Sequence, residues 1–142
     1  PPLAKAAPAA NERLIPVQEF GDFFQAAFGG MTHLNRVQSR VFPVAFKTNN
    51  NMLVCAPTGA GKTEVAMMAV LHELEQHLHG HAGLKAEEFK IVYVAPMKAL
   101  AAEVTDKFSR RLGRLGLVVK ELTGDMQLSR QEISETHMLV VT

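Results

Sequence analysis

The residues with the most evident chemistry form one run, Ala56-Pro57-Thr58-Gly59-Ala60-Gly61-Lys62-Thr63. Gly59 and Gly61 can adopt backbone dihedrals closed to residues with a Cβ. At such positions the N–H groups turn inward, where they can meet phosphate oxygens. A helix that starts there adds the positive end of its dipole. Lys62 would supply a point charge to β- and γ-phosphates, and Thr63 a hydroxyl to Mg²⁺. The spacing fits the phosphate-loop pattern G-x-x-x-x-G-K-[ST] with one departure, Ala56 at the first position. Ala56 closes the preceding apolar run and needs no unusual dihedral, so losing that glycine costs little. ATP and Mg²⁺ are therefore the expected cofactors. Lys62 and Thr63 are the expected catalytic contacts, and Ala56 to Thr63 the expected lining. The competing reading is a Gly-rich turn with no ligand.

A phosphate loop works only between a buried strand and a helix, and the flanking sequence has that pattern. Met52-Leu53-Val54-Cys55-Ala56 is a short apolar run bounded by turn residues, which predicts a strand buried on both faces. From Lys62 to about His79, Met67, Leu71, Leu74 and Leu78 recur at helical spacing. Upstream, His33 to Lys47 reads as a helix with Leu34, Val37, Val41 and Ala45 on one face, kinked or shortened by Pro43. The aromatic stretch Leu14 to Gly30 should pack on the core. Residues 1 to 13, rich in Pro and Ala, read as a linker. Downstream, Gly80 to Gly83 opens a loop, and residues 90–95 predict a second buried strand. A helix follows from about Met97, carrying Leu100, Val104, Phe108 and Leu112, with Gly113 as its stop. Residues 117–122 and 138–142 predict two more strands, joined by a short helix that Ser129 and Glu132 cap. Strands alternating with helices imply a parallel α/β sheet with helices on both faces, a P-loop type of fold.

The bulk numbers are consistent with this. The chain has 142 residues, 47% hydrophobic and 20% charged, with a net charge of +1. That suits one packed domain and gives no global basic field, so nucleic-acid binding would have to be local. The single cysteine, Cys55, excludes an internal disulfide framework and reads as a small core residue. No apolar stretch approaches the length of a membrane span, and the N-terminus lacks a signal-peptide pattern, so an intracellular setting is the default.

Several motifs together resemble superfamily 2 helicases of the DExH branch. Ala56 to Thr63 resembles motif I, which in that family often begins with Ala. Leu34-Asn35-Arg36-Val37-Gln38-Ser39 resembles the adenine-reading element ahead of it. Ala95-Pro96-Met97-Lys98-Ala99-Leu100-Ala101-Ala102-Glu103 is similar to motif Ia, and Glu121-Leu122-Thr123-Gly124-Asp125 to the motif after it. The resemblance covers about Leu14 to Thr142. It implies a RecA-like fold and a nuclear ATP-dependent helicase moving 3′ to 5′, possessing a nucleic-acid partner, single-stranded or duplex, DNA or RNA. Membership of a multi-protein complex is implied too. By matched position, Gln38 would read adenine through its amide. Pro96, Lys98, Thr123 and Gly124 would line the backbone of a single strand. Phe28 would either stack near the base or belong to the core.

Other features are weaker. His77, His79 and His81 alternate near a helix end, but no Cys or carboxylate joins them at ligand spacing. Lys107, Arg110, Arg111 and Arg114 read as a solvated basic face that favours the negative end of its helix. Phosphoryl transfer also needs a carboxylate for Mg²⁺ and a group that orients water. No Asp-Glu-x-His occurs in the chain. The expectation is thus the N-terminal part of a first RecA-like domain, truncated before that motif, inactive alone and with an open apolar sheet edge. A non-helicase P-loop enzyme or kinase, or a non-catalytic scaffold fragment, are the competing functions.

Overall fold

A computed structural model describes residues 14–57, 61–78, 88–124 and 127–142. The linker assigned to residues 1–13, the loop at Gly80 to Gly83, and Thr58, Gly59 and Ala60 of the phosphate loop lie outside the described residues. The elements run α1 (Asp22–Gln25), α2 (Arg36–Ala45), α3 (Lys62–Gln76), β1 (Ile91–Val94), α4 (Lys98–Gly113), β2 (Val119–Leu122), α5 (Arg130–Glu135) and β3 (Met138–Val141). Short 3₁₀ turns at Val17–Phe20 and Ala26–Phe28 flank α1.

The three strands form one parallel sheet in the order β1-β3-β2. β3 sits centrally because Met138, Leu139 and Val140 are apolar on both faces, and all three are buried. β1 and β2 alternate instead. Tyr93 points toward Phe108 of α4, with ring centroids 5.9 Å apart. Val92 and Val94, on the opposite face, are 56% and 71% exposed, so β1 is covered on one face and is not buried on both.

Helix α3 follows its apolar stripe closely. Met67, Leu71 and Leu74 are fully buried, and Leu78 packs against the core edge. Helix α2 is shorter than its pattern implies and rotated. Its buried side chains are Gln38, Phe42 and Ala45, while Val37 and Val41 are half-buried. The rotation follows from the aromatic cluster beneath it. The Phe20 ring lies 4.7 Å from Phe28, 5.2 Å from Phe42 and 4.5 Å from Phe46, and Phe42 must face inward to join them. Phe28 thus takes the core alternative at 5% exposure. Pro43 does not end α2 at its own position. It stands in the last turn, where the helix runs on to Ala45 and the Phe46 N–H still reaches the Phe42 carbonyl at 2.9 Å.

Of two other helix ends, one departs from expectation and one matches it. Gly113 remains helical, and the left-handed residue is Gly116, with φ 82°; the Leu117 N–H then closes back on the Leu112 carbonyl at 3.2 Å. The Ser129–Glu132 capping box forms as the spacing requires, with Glu132 N–H donating to Ser129 Oγ at 3.1 Å and Ser129 N–H to Glu132 Oε2 at 3.3 Å.

The largest departure is residues 52–56. They form no strand, Leu53 is 89% exposed, and Cys55 is exposed rather than a core residue. A strand buried on both faces exists only if neighbouring strands pair with it. Among the described residues none lies beside this segment in a sheet. Its apolar side chains instead line an open groove of about 430 Å³ with Val37, Val41 and Val44 of α2.

Candidate functional site

The phosphate-loop candidate is built from the start of α3. Gly61 is its N-cap, at φ 89° and ψ 33°, a left-handed conformation that disfavours any residue with a Cβ. Gly61 itself has no side chain with which to cap this terminus. The Glu64 N–H turns back to the Gly61 carbonyl at 3.1 Å, and a helix start directs its remaining first-turn N–H groups outward, the arrangement an anion fills. Lys62, the first helical residue, is exposed, and Thr63 is half-buried. These features fit a phosphate group, with Lys62 as its cation and the Thr63 hydroxyl available to an accompanying Mg²⁺.

Helix α2 reaches this point through its own first turn. Asn35 caps α2, accepting the Gln38 N–H on Oδ1 at 2.9 Å, while Gln38 Oε1 accepts the Asn35 N–H at 2.8 Å. Gln38 Nε2 then donates to the Gly61 carbonyl at 3.2 Å. The residue singled out for adenine reading is thus 3% exposed, with its amide engaged on both ends. In this state Gln38 props the phosphate loop rather than facing solvent. The N-x-x-Q spacing from Asn35 to Gln38 is itself a capping signature, the one signal that would have placed Gln38 here.

Gly61 consequently has two reasons to be glycine. A Cβ there would overlap Gln38 Nε2 and stand 2.9 Å from Asn35 Nδ2. Gln38 cannot swing away without breaking the capping box. Gly61→Ala should therefore weaken nucleotide binding on the order of tenfold, since left-handed strain of about 1–2 kcal/mol falls on the loop itself. Titration with a fluorescent ATP analogue checks this. Adding Gln38→Ala should recover part of the loss, by relieving the overlap but not the dihedral strain.

The positions matched to nucleic-acid contact occupy the carboxyl ends of strands, where open α/β sheets place their ligands. Pro96 lies two residues beyond Val94 of β1, and Gly124 two beyond Leu122 of β2. Val94 and Leu122 are both in register with Val141 of β3. Pro96 and Gly124 therefore both follow strand ends that lie at one level of the sheet. Pro96, Lys98 and Gly124 are exposed, whereas Thr123 is 7% exposed. Thr63 and Pro96 share the wall of one cavity of about 160 Å³, together with Tyr93, Glu103 and Lys107. The fold thus brings Thr63 and Pro96 to a common cleft.

The basic run on α4 does not behave as one face. Arg110 pairs with Asp106 on its own helix, and that hydrogen bond and charge raise the guanidinium pKa above its already high value. Arg111 instead crosses to Glu64 in the first turn of α3, 47 residues away. Arg114 donates to the Ala26 carbonyl at 3.1 Å. The histidine series is split as well. His77 Nε2–H donates to Glu73 Oε1 at 3.0 Å and its ring stacks on Phe89 at 4.9 Å, while His79 and His81 lie outside the described residues. No described helix is long and apolar enough to cross a membrane.

A parallel sheet with a phosphate-loop helix start and strand-end contact positions defines a RecA-like P-loop module, and residues 35–142 match the DEAD/DEAH box helicase family, to which the chain belongs. DExH-box ATP-dependent RNA helicase DExH14 of Arabidopsis thaliana is 60% identical over 142 residues, all of this chain. Activating signal cointegrator 1 complex subunit 3 is 62% identical over 132 residues, 93% of this chain, in Rattus norvegicus, and 50% over 143 aligned positions, 99% of this chain, in Dictyostelium discoideum. The chain spans about 6% of the length of each of these relatives.

Proposed function

We propose that this chain is the ATP-binding part of an ATP-dependent 3′-to-5′ helicase. The observation that carries the reading is the left-handed glycine start of α3, with Lys62 exposed and Thr63 opening on the same cleft as Pro96. Residues Ala56 to Thr63 would hold the nucleotide phosphates, and Thr63 would offer its hydroxyl to Mg²⁺. Bound Mg²⁺ supplies charge neutralisation for the γ-phosphoryl group. Gln38 would read adenine through its amide, giving up its present bonds to the Asn35 N–H and the Gly61 carbonyl to do so. Pro96, Lys98, Thr123 and Gly124 would follow the backbone of a strand, Thr123 through its backbone groups. A single strand of RNA is the favoured substrate, because the Arabidopsis relative is an RNA helicase. Membership of a multi-protein complex follows the cointegrator relatives, which are named as a complex subunit, and the proposed setting is nuclear, with the cytoplasm as the alternative.

In this reading residues 14–142 are the N-terminal part of a RecA-like domain in a longer polypeptide, with residues 1–13 a linker. The catalytic carboxylates and a second RecA-like domain would come from elsewhere in that polypeptide. The chain alone should then bind nucleotide without useful turnover. The deciding experiment titrates the ATPase rate of the longer polypeptide with single-stranded RNA. A rise of about tenfold or more, the scale of positioning effects in phosphoryl transfer, supports a helicase. A rate indifferent to RNA would point to a small-molecule kinase or other P-loop enzyme instead.

A further inference from the structure

The Arg111 side chain is placed unlike its neighbours. Arg110 makes the local i,i+4 pair expected of a surface arginine, with both partners mostly exposed. Arg111 and Glu64 are each only 14% exposed. The Arg111 fork grips both carboxylate oxygens, Nη1 on Oε1 and Nη2 on Oε2 at 2.9 Å. Its Nε donates to the Ala27 carbonyl at 2.5 Å, and the guanidinium lies 5.6 Å from the centre of the Phe28 ring.

Both ends of this contact matter. Glu64 is two residues from Lys62, so its carboxylate lies in the helix turn that would face anionic phosphates. Unpaired, it would repel them. Arg111 lies thirteen residues beyond Lys98 on α4, about 20 Å along one rigid helix. Buried ion pairs seldom add much stability, because desolvation offsets their attraction; their best-attested use is fixing a register or a switch.

We propose that Arg111 is a positioning residue that couples the phosphate loop to the nucleic-acid end of α4. A strand seated at Pro96 and Lys98 shifts α4, and the Arg111–Glu64 pair passes that shift to the first turn of α3. There it sets how much of the Glu64 charge the phosphates meet. The inference rests on the nucleotide-binding reading above.

The test uses the longer polypeptide, a non-hydrolysable fluorescent ATP analogue and a single-stranded RNA oligonucleotide. Nucleotide affinity is measured with and without RNA, and their ratio is the coupling. Arg111→Gln should weaken nucleotide binding on the order of tenfold, one unmasked like charge, and bring the ratio to about one. The double variant Glu64→Gln/Arg111→Gln should recover affinity to within about threefold of wild type, because the charge is gone, yet leave the ratio near one. A purely structural role predicts no such recovery. Arg111→Lys keeps the charge but loses the fork, and should retain affinity while losing the ratio even if Arg111→Gln folds poorly. A wild-type ratio in Arg111→Lys, or in Arg111→Gln with only a lower melting temperature, overturns the proposal. So does wild-type protein whose nucleotide binding depends on Lys62 but ignores RNA; in that case the nucleotide reading stands. If binding is indifferent to Lys62→Ala, that reading falls and takes this inference with it.

Discussion

Lys62→Ala should weaken binding of a fluorescent ATP analogue by at least about a hundredfold while leaving the melting temperature of the chain unchanged. The size follows from the contacts a phosphate-facing ammonium makes. Hydrogen bonds to charged groups contribute about 1.5–3 kcal/mol each, and two of them give the stated factor. The unchanged stability follows from where Lys62 sits. It is exposed, and it is the first residue of α3. A cation at a helix N-terminus opposes the dipole, and Ala has the higher helix propensity. On folding grounds alone the substitution is neutral or favourable by a few tenths of a kcal/mol. A lysine at a position where folding would prefer its absence is explained by a ligand. An affinity loss that tracked a fall in melting temperature would count against this, because it would make Lys62 a structural residue.

How far the sequence was informative depended on the range of each interaction. Helix α3 was legible because its stripe of Met67, Leu71 and Leu74 is a local pattern and those side chains are fully buried. The Ser129–Glu132 box was legible for the same reason: both partners lie within one turn. Residues 52–56 were misread because apolar composition does not supply a hydrogen-bonded neighbour, and strand formation requires one. Helix α2 was misjudged by one step of rotation, since the aromatic cluster that sets its facing draws on Phe20 and Phe28 far upstream. Gly113 and Gly116 are three residues apart, and only the φ of 82° at Gly116 decides between them. At the candidate site, the glycine and lysine types stood out because the chemistry tolerates so few alternatives. The roles of Glu64 and Arg111 did not. A helix-end arginine already has a sufficient local explanation in the dipole, and its partner is 47 residues away.

Phe108→Ala is expected to lower stability by about 3–5 kcal/mol, the usual cost of removing a fully buried aromatic ring and leaving its cavity. Phe108 is 0% exposed and meets Tyr93 across the interface between α4 and the sheet. Domains of this kind have about 5–15 kcal/mol in total, so the variant should lose a large share of it and melt about 10–20 °C lower. Leu53→Ala is the matching control. Leu53 is as apolar as a core residue but 89% exposed, so its removal should change stability by less than about 0.5 kcal/mol. Thermal unfolding of the two variants side by side measures the contrast. Equal losses would mean that residues 52–57 are buried in solution and that the groove against α2 is closed. The contrast also bears on function. Phe108 fixes α4 to the sheet between Lys98 and Arg111, one turn before the latter, so a loosened α4 should lose RNA affinity in proportion to its loss of stability. Arg111→Lys, by contrast, should lose the coupling while α4 stays seated, and that separates holding the helix in place from transmitting its movement.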